Sequence, residues 1–355
     1  MMAELASTGG MAGALALAAL TAGASWMVTR WVIGWLHRRQ VLDHPNERSS
    51  HSAPTPRGGG IGILAVALPL IAAVFWLHRP GDIEAFVVVA LAAALAALSW
   101  IDDLRDLPVI VRFGAHIAAV GAALALMPDK LIVFQGLLPF AADRIAAGLL
   151  WVWFINLYNF MDGIDGLAGV ETIAIGAGIF AVLASAGPDT GTGGLTVALA
   201  ALLTAASAAG FLILNWHPAR VFMGDVGSIA LGYLLGWMLL TLAAWGFWTA
   251  ALILPAYYLA DATLTIARRA LAGEPVWRAH KKHFYQRAVQ RGLGHARVAR
   301  FIAAGNLFLA MIALLSVQVV GWKSVALCLA AGVAVAGWML LWLARAQPAE
   351  SDGKI

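Results

Sequence analysis

The chain has 355 residues, of which 61% are hydrophobic and 12% charged, with a mean hydropathy of +0.82. Water-soluble globules run near one quarter charged, so this composition excludes an ordinary soluble protein and leaves no room for a separate soluble catalytic domain. The formal net charge of +4 is mild, and the single cysteine, Cys328, excludes both an intrachain disulfide and a cysteine metal cluster.

In chain order, apolar windows long enough to cross a bilayer fall at 13–36, 60–77, 84–101, 111–127, 144–160, 167–187, 194–214, 227–243, 247–267, 301–320 and 323–344. The expected architecture is therefore an all-α polytopic membrane protein with about 11 transmembrane helices. It forms one helical domain over 1–345, with a short tail over 346–355. No basic residue precedes the first apolar run, and Arg30, Arg38 and Arg39 follow it. That is the reverse of a cleavable signal peptide, so the first span reads as retained, with the N-terminus outside and the C-terminus cytoplasmic. The stretch from Lys130 to Phe140 reads either as loop or as a re-entrant piece.

Eleven spans put the loops 37–59, 102–110, 161–166, 215–226 and 268–300 on one face. That face and the tail carry 18 lysines and arginines against four on the other, the four being Arg79, Lys130, Arg144 and Lys323. Basic residues accumulate on cytoplasmic loops, so the first face is the cytoplasmic one.

Nearly every unusual polar cluster falls at that end. Asp102 and Asp103 are adjacent carboxylates at a membrane boundary, where two like charges are costly without a cation or proton; the alternative is a helix-terminal loop of solvated acids partnered by Arg105. In Asn156-Leu-Tyr-Asn159-Phe-Met-Asp162-Gly-Ile-Asp165-Gly, the spacing of three places Asn156, Asn159 and Asp162 on one helical face. Helix capping can account for Asp165 but not for the two asparagines and the second aspartate, because polar groups at membrane depth must line something wet or meet a ligand. The segment from Asn215 to Ser228 offers Asp225 either as a helix N-cap or as a metal-phosphate ligand, with Phe222 placed to stack a base or to anchor at the interface. The loop Arg278-Ala-His280-Lys-Lys282-His283 reads as a membrane-surface anchor or as a polyphosphate cradle; zinc is disfavoured because no third ligand accompanies the two histidines. The glycines after Pro56-Arg57 suit either a phosphate cradle or close helix packing.

Taken in this order, over about residues 43–290, these motifs resemble the polyprenyl-phosphate N-acetylhexosamine-1-phosphate transferase family. The hallmarks that carry the likeness are the pair Asp102-Asp103, the segment Asn156 to Leu167, the segment Phe222 to Ser228, and His280 to His283. The resemblance implies an enzyme of the bacterial inner (plasma) membrane with its active site on the cytoplasmic face. Such an enzyme moves an N-acetylhexosamine 1-phosphate from a UDP-sugar to undecaprenyl phosphate and releases UMP, with magnesium required and manganese the alternative ion. Initiation of O-antigen lipopolysaccharide or a similar cell-envelope glycan is the implied role. The lysines between His280 and His283 depart from the triple-histidine form of the muramoyl enzymes and resemble initiators that use modified sugars such as N-acetylfucosamine or N-acetylquinovosamine. The implied partners are UDP-N-acetylhexosamine, undecaprenyl phosphate and membrane lipids, with a homodimer as a family-level expectation and no nucleic acid.

By the same resemblance Asp225 is the first metal ligand, with Asp102 and Asp103 positioning the nucleophile and metal or taking a residual proton. Asn156, Asn159, Asp162, Asp165 and Asn215 are implied to bind substrate, with Phe222 on the uracil; Arg57, Arg278, His280, Lys282 and His283 complete the set around the diphosphate and sugar. Asp261 reads as a helix-interior pairing residue. Rival readings are a secondary transporter, which predicts polar groups near the midplane, and a lipid-binding relative that has lost catalysis.

Overall fold

The computed structural model describes residues 8–43, 54–186, 191–276 and 280–347. The chain opens with α1 (Thr8–Arg39) and a two-stranded antiparallel ribbon, β1 (Leu42–Asp43) with β2 (Thr55–Pro56), in which Leu42 pairs with Pro56. There follow α2 (Gly60–His78), α3 (Ile83–Arg105), α4 (Val109–Leu126), α5 (Phe140–Phe160), α6 (Leu167–Ser185), α7 (Gly191–Asn215) and α8 (Asp225–Leu242). A π-turn (Ala243–Phe247) leads to α9 (Trp248–Ile253), α10 (Ala256–Leu271), α11 (Phe284–Gln290), α12 (His295–Gln318) and α13 (Trp322–Arg345).

Ten helical stretches among the described residues are long and apolar enough to cross a membrane. The protein is therefore an all-α, multi-pass membrane protein. The expectation of eleven departs from this at the ninth window, 247–267, which is not one continuous helix. Gly246 at φ 94° breaks the helical path inside the π-turn, and the Leu254-Pro255 step separates α9 from α10. Proline lacks the N–H that would continue the ladder and crowds the preceding turn, so the window divides into a short apolar helix and a polar 16-residue one. The stretch 130–139 holds turns and no helix. Asp143 ties it down by accepting from the N–H groups of Val133 and Phe134 at 3.1 and 2.7 Å.

Helix α8 forms the centre. Every residue from Val226 to Leu242 is buried, as expected for a helix apolar on all sides. It packs against α3, α5, α2 and α6. Against α5, the Trp151 ring stacks on Tyr233 with centroids 4.8 Å apart, and its indole N–H donates to the Tyr233 carbonyl at 2.9 Å. Peripheral α1, α4 and α13 expose large apolar side chains such as Trp31, Ile110 and Val333, the surface that hydrocarbon rather than water tolerates.

Five helix termini bring the polar segments to one end of this bundle. Helix α3 stops at Arg105 because Asp106 takes a left-handed conformation (φ 50°) and returns its N–H to the Asp102 carbonyl, while Pro108 keeps Leu107 out of the helical region. Helix α5 ends at Phe160, and α6 begins after Gly166 at φ 79°. Helix α7 ends at Asn215, and α8 begins directly after Gly224 at φ 74°.

Candidate functional site

The glycine-rich turn is the frame of the site. Strand β2 runs on to Arg57, which bridges Phe222 in parallel. The Phe222 N–H donates to the Pro56 carbonyl at 2.8 Å, Gly58 and Gly59 both donate to the Phe222 carbonyl at 3.2 and 2.8 Å, and Gly60 donates to Met223 at 2.9 Å. With these N–H groups spent on the chain itself, the turn is a packing device rather than a phosphate cradle. The absent side chains serve the same contact. A Cβ on Gly58, which sits at φ 114°, would lie 2.6 Å from Trp100, and one on Gly60 would lie 2.3 Å from the Gly227 Cα.

That frame delivers Arg57 to the acids. Its Nη2 lies 2.8 Å from Asp103 Oδ1 and 3.1 Å from Asp225 Oδ1. Arg112, near the start of α4, lies 2.8 Å from Asp102 Oδ2 and 3.9 Å from Asp225 Oδ2, and the Leu107 N–H donates to Asp102 Oδ1 at 2.7 Å. Burial works against the Arg57 charge, but Asp103, Asp225 and Asp43 outweigh it and lift its pKa above the ordinary arginine value. The partners are thus Arg57 and Arg112 rather than Arg105. Nor is Asp225 an N-cap: it is the first residue of α8, the cap position is Gly224, and no side chain caps that end. Ser228 instead donates to Asn159 Oδ1 at 2.6 Å.

Asp103 and Asp225 flank a single guanidinium nitrogen, and the buried Asp103 Oδ1 makes no hydrogen bond despite its ion pair. Two hard carboxylates brought to one cationic nitrogen suit a divalent cation such as magnesium. Asp102 pairs with Arg112 at 2.8 Å, through the same nitrogen that approaches Asp225 at 3.9 Å.

The asparagine-rich loop divides into two roles. Asn156 returns its amide N–H to the Val152 carbonyl at 2.7 Å, and both Asn156 and Asn159 line a cavity beside Asp225. Asp162 follows in the loop. Burial, then Asp225, push its carboxyl up to about 7 against the opposing pull of Arg57. Asp165 does not cap α6. Its Oδ2 meets His217 Nδ1 at 2.6 Å, the Ala219 N–H at 3.2 Å and His295 Nδ1 at 3.4 Å. Burial alone would raise this carboxyl, but the hydrogen bonds from His295 and His217 outweigh it and hold it below the ordinary aspartate value. Asn215 is a brace: it accepts from the Gly166 N–H at 2.9 Å and donates to the Val221 carbonyl at 2.8 Å. Both ends of its amide are spent on backbone.

The histidine loop is anchored from below. Asp261 is fully buried and accepts five donors: Tyr257 Oη, Thr265 Oγ1, His283 Nδ1 and the N–H groups of Phe284 and Tyr285, at 3.1–3.3 Å. It therefore pairs with the loop 22 residues away as well as with its own helix. His283, at 1% exposure, acts through the loop it fixes rather than by touching a ligand. His280 stacks on it with centroids 4.8 Å apart, and burial together with the neighbouring positive groups lowers the His280 pKa to about 4, so it is neutral at pH 7. Lys282 pairs with Glu274, which Arg269 also holds. Arg278 lies outside the described residues. Phe222 is half-buried at the frame.

Two cavities lie along the bundle, one at this end and one bordering the 133–137 turns. One, of about 380 Å³, has a polar wall containing Asp102, Arg112, Asn159 and Asp225 and an apolar wall containing Phe113, Leu149, Val152 and Trp153. The second, of about 460 Å³, is almost wholly apolar, lies between α5, α8, α9 and α10, and shares Trp153 with the first.

The sequence profile of glycosyl transferase family 4 matches residues 85–243. A probable undecaprenyl-phosphate N-acetylglucosaminyl 1-phosphate transferase of Bacillus subtilis is 30% identical over 267 residues, covering 72% of this chain and 71% of that protein. A decaprenyl-phosphate N-acetylglucosaminephosphotransferase of Mycobacterium leprae is 30% identical over 321 residues, covering 81% and 80%. A phospho-N-acetylmuramoyl-pentapeptide-transferase of Desulforudis audaxviator is 32% identical over 250 residues, covering 60% and 72%. The chain belongs to glycosyl transferase family 4. The likeness read from its motifs is borne out. The profile spans three of the four motif groups, while Arg57 and the His280–His283 loop lie outside it. Sequence reading named most of the acids but passed over Arg112, His217 and His295 as site residues. Arg112 left a signal, a lone cation in an apolar helix ten residues after Asp102; the two histidines left none, since they reach Asp165 only through the fold.

Proposed function

We propose that this protein transfers an N-acetylhexosamine 1-phosphate from a UDP-sugar to undecaprenyl phosphate at the cytoplasmic face of a bacterial inner membrane, releasing UMP. The observation that carries this reading is the 380 Å³ cavity lined on one side by cationic and acidic groups and on the other by apolar ones, with Trp153 also lining a neighbouring apolar cavity. An amphiphile with an anionic head and an isoprenoid tail needs both surfaces at once. The names of the relatives support the same pair of substrates and make UDP-N-acetylglucosamine the first donor to test.

In this reading the acceptor phosphate enters beside Arg112, which offsets its charge. With a second pKa near ~6 it is largely dianionic at neutral pH and needs no strong base. One of its oxygens attacks the sugar-bearing phosphorus; the bond from that phosphorus to the UMP oxygen breaks, and the electron pair leaves with UMP. Asp225 and Asp103 would hold magnesium, which supplies neutralisation of the diphosphate charge. Arg57 fixes the spacing of these two carboxylates, and Asn156 and Asn159 supply polar groups along the same wall. Asp165 and Asn215 shape the nucleotide side by holding the 161–166 loop against the 215–221 segment. The attack is direct, because an aspartyl nucleophile would face a highly anionic substrate. Commitment to O-antigen or a related envelope glycan, and homodimer formation, belong to this proposal as family-level expectations.

The test is UMP release by the purified protein with magnesium across a panel of UDP-N-acetyl sugars, each with and without undecaprenyl phosphate. Lipid-dependent UMP from one sugar is the expected result. UMP that appears equally without lipid would make the protein a UDP-sugar hydrolase, and silence from a folded sample across the panel would favour the non-catalytic lipid-binding reading.

A further inference from the structure

His116 lies on α4, four residues beyond Arg112. These two are the only ionisable side chains of that helix, and the spacing puts them on one face. Both line the 380 Å³ cavity. His116 is only 5% exposed, and among the described residues its Nδ1 has no hydrogen-bond partner. The neighbouring helix positions show what ordinary packing looks like here: Ala119, Val120 and Ala123 fill the buried face with apolar groups. A buried imidazole without a partner costs free energy unless a ligand or water completes it. Polar groups at membrane depth are retained where they line a cavity or meet a ligand.

The occupant can be argued from the walls. Arg112 is shared between Asp102 at 2.8 Å and Asp225 at 3.9 Å, so part of its positive charge is already committed to carboxylates. An anionic head entering from the apolar side, past Phe113 and Leu149, passes along α4 and meets a second donor one helical turn deeper than Arg112. The imidazole lines the cavity, and a turn of the ring about its Cβ–Cγ bond presents a ring N–H to a phosphate oxygen, while an apolar residue there could not. We propose that His116 is a binding residue for the acceptor phosphate, donating a hydrogen bond to one of its non-bridging oxygens and fixing the depth at which the head comes to rest. The proposal rests on the transferase reading above and adds a residue that distinguishes a phosphorylated lipid from its alcohol.

The experiment uses the full-length protein in detergent, with His116→Leu as the variant that removes the donor and His116→Gln as the one that keeps an N–H donor of similar reach. Binding of decaprenyl phosphate and of decaprenol is followed by native mass spectrometry, without any UDP-sugar. Wild type should prefer the phosphate. His116→Leu should lose about tenfold of that preference, equivalent to ~1.4 kcal/mol, and His116→Gln should keep it within roughly threefold. In turnover, His116→Leu should raise KM for the lipid about tenfold and leave KM for the UDP-sugar unchanged. The inference is overturned if His116→Leu keeps the phosphate preference, if wild type shows none, or if both KM values rise together. A wild type that binds the phosphate selectively but releases no UMP would defeat the transferase reading alone, because the binding comparison would still decide the role of His116.

Discussion

Asp225 and Asp261 are both aspartates at helix segments near the same end of the bundle, and their surroundings differ in kind. Asp261 is wholly buried and accepts five donors from its own helix and from the loop above it. Asp225 keeps 20% of its side chain exposed, is held among the described residues by Arg57 and Arg112, and lines a cavity. Saturation by neutral donors marks a carboxylate whose work is to hold the chain together. A carboxylate held by cations beside an opening has capacity left for a ligand.

The sharpest way to break that comparison is within the acidic pair itself. Asp103→Asn should lower lipid-dependent UMP release by about three orders of magnitude or more, the scale of losing a preorganised charge at a reacting centre, while the unfolding temperature in detergent stays close to wild type. A loss of folding would move Asp103 to the structural side. Next in size, Asp261→Asn should destabilise the protein by about 3 kcal/mol, as expected when a buried charged network loses its centre, and proteolysis within 272–283 should accelerate. An Asp261→Asn protein as stable as wild type would contradict its role as anchor. Asn215→Ala should cost about 2 kcal/mol, because it leaves the Gly166 N–H and the Val221 carbonyl without partners; hydrogen exchange at Gly166 is the direct readout.

The smallest effect concerns pH. Asp162 titrates at about 7 in the fold and near ~3.9 when unfolded. Between these values the native state binds more protons than the unfolded state, so stability falls as pH rises from about 4 to 7, and the penalty is fully present above 7. With chelator present to remove divalent ions, the unfolding temperature should decline across that window. Asp162→Asn should flatten the decline, and an unchanged slope would remove Asp162 as its source.

Much of the site was legible because a membrane makes polar residues conspicuous. Asp102, Asp103, Asn156, Asn159, Asp162 and Asp225 stand out against apolar spans, and the structure gathers their segments at one end. What the sequence could not reveal was pairing across distance. Arg57 reaches Asp225 over 168 residues and His295 reaches Asp165 over 130, and nothing local announces either contact. The capping explanations for Asp165 and Asp225 were locally sensible but lost to those long-range partners. The ninth window misled for a different reason: its mean apolarity is sufficient for a span, while Gly246 and Pro255 interrupt the backbone. The glycine-rich turn stayed ambiguous until its N–H groups were seen to be spent on Phe222 and Met223.

The most direct test of the central claim places Asp225→Asn and wild type side by side in one detergent, measuring unfolding temperature and lipid-dependent UMP release on the same samples. The account predicts an unfolding temperature within a few degrees of wild type and no detectable lipid-dependent release. Retained release from a folded Asp225→Asn protein would contradict it.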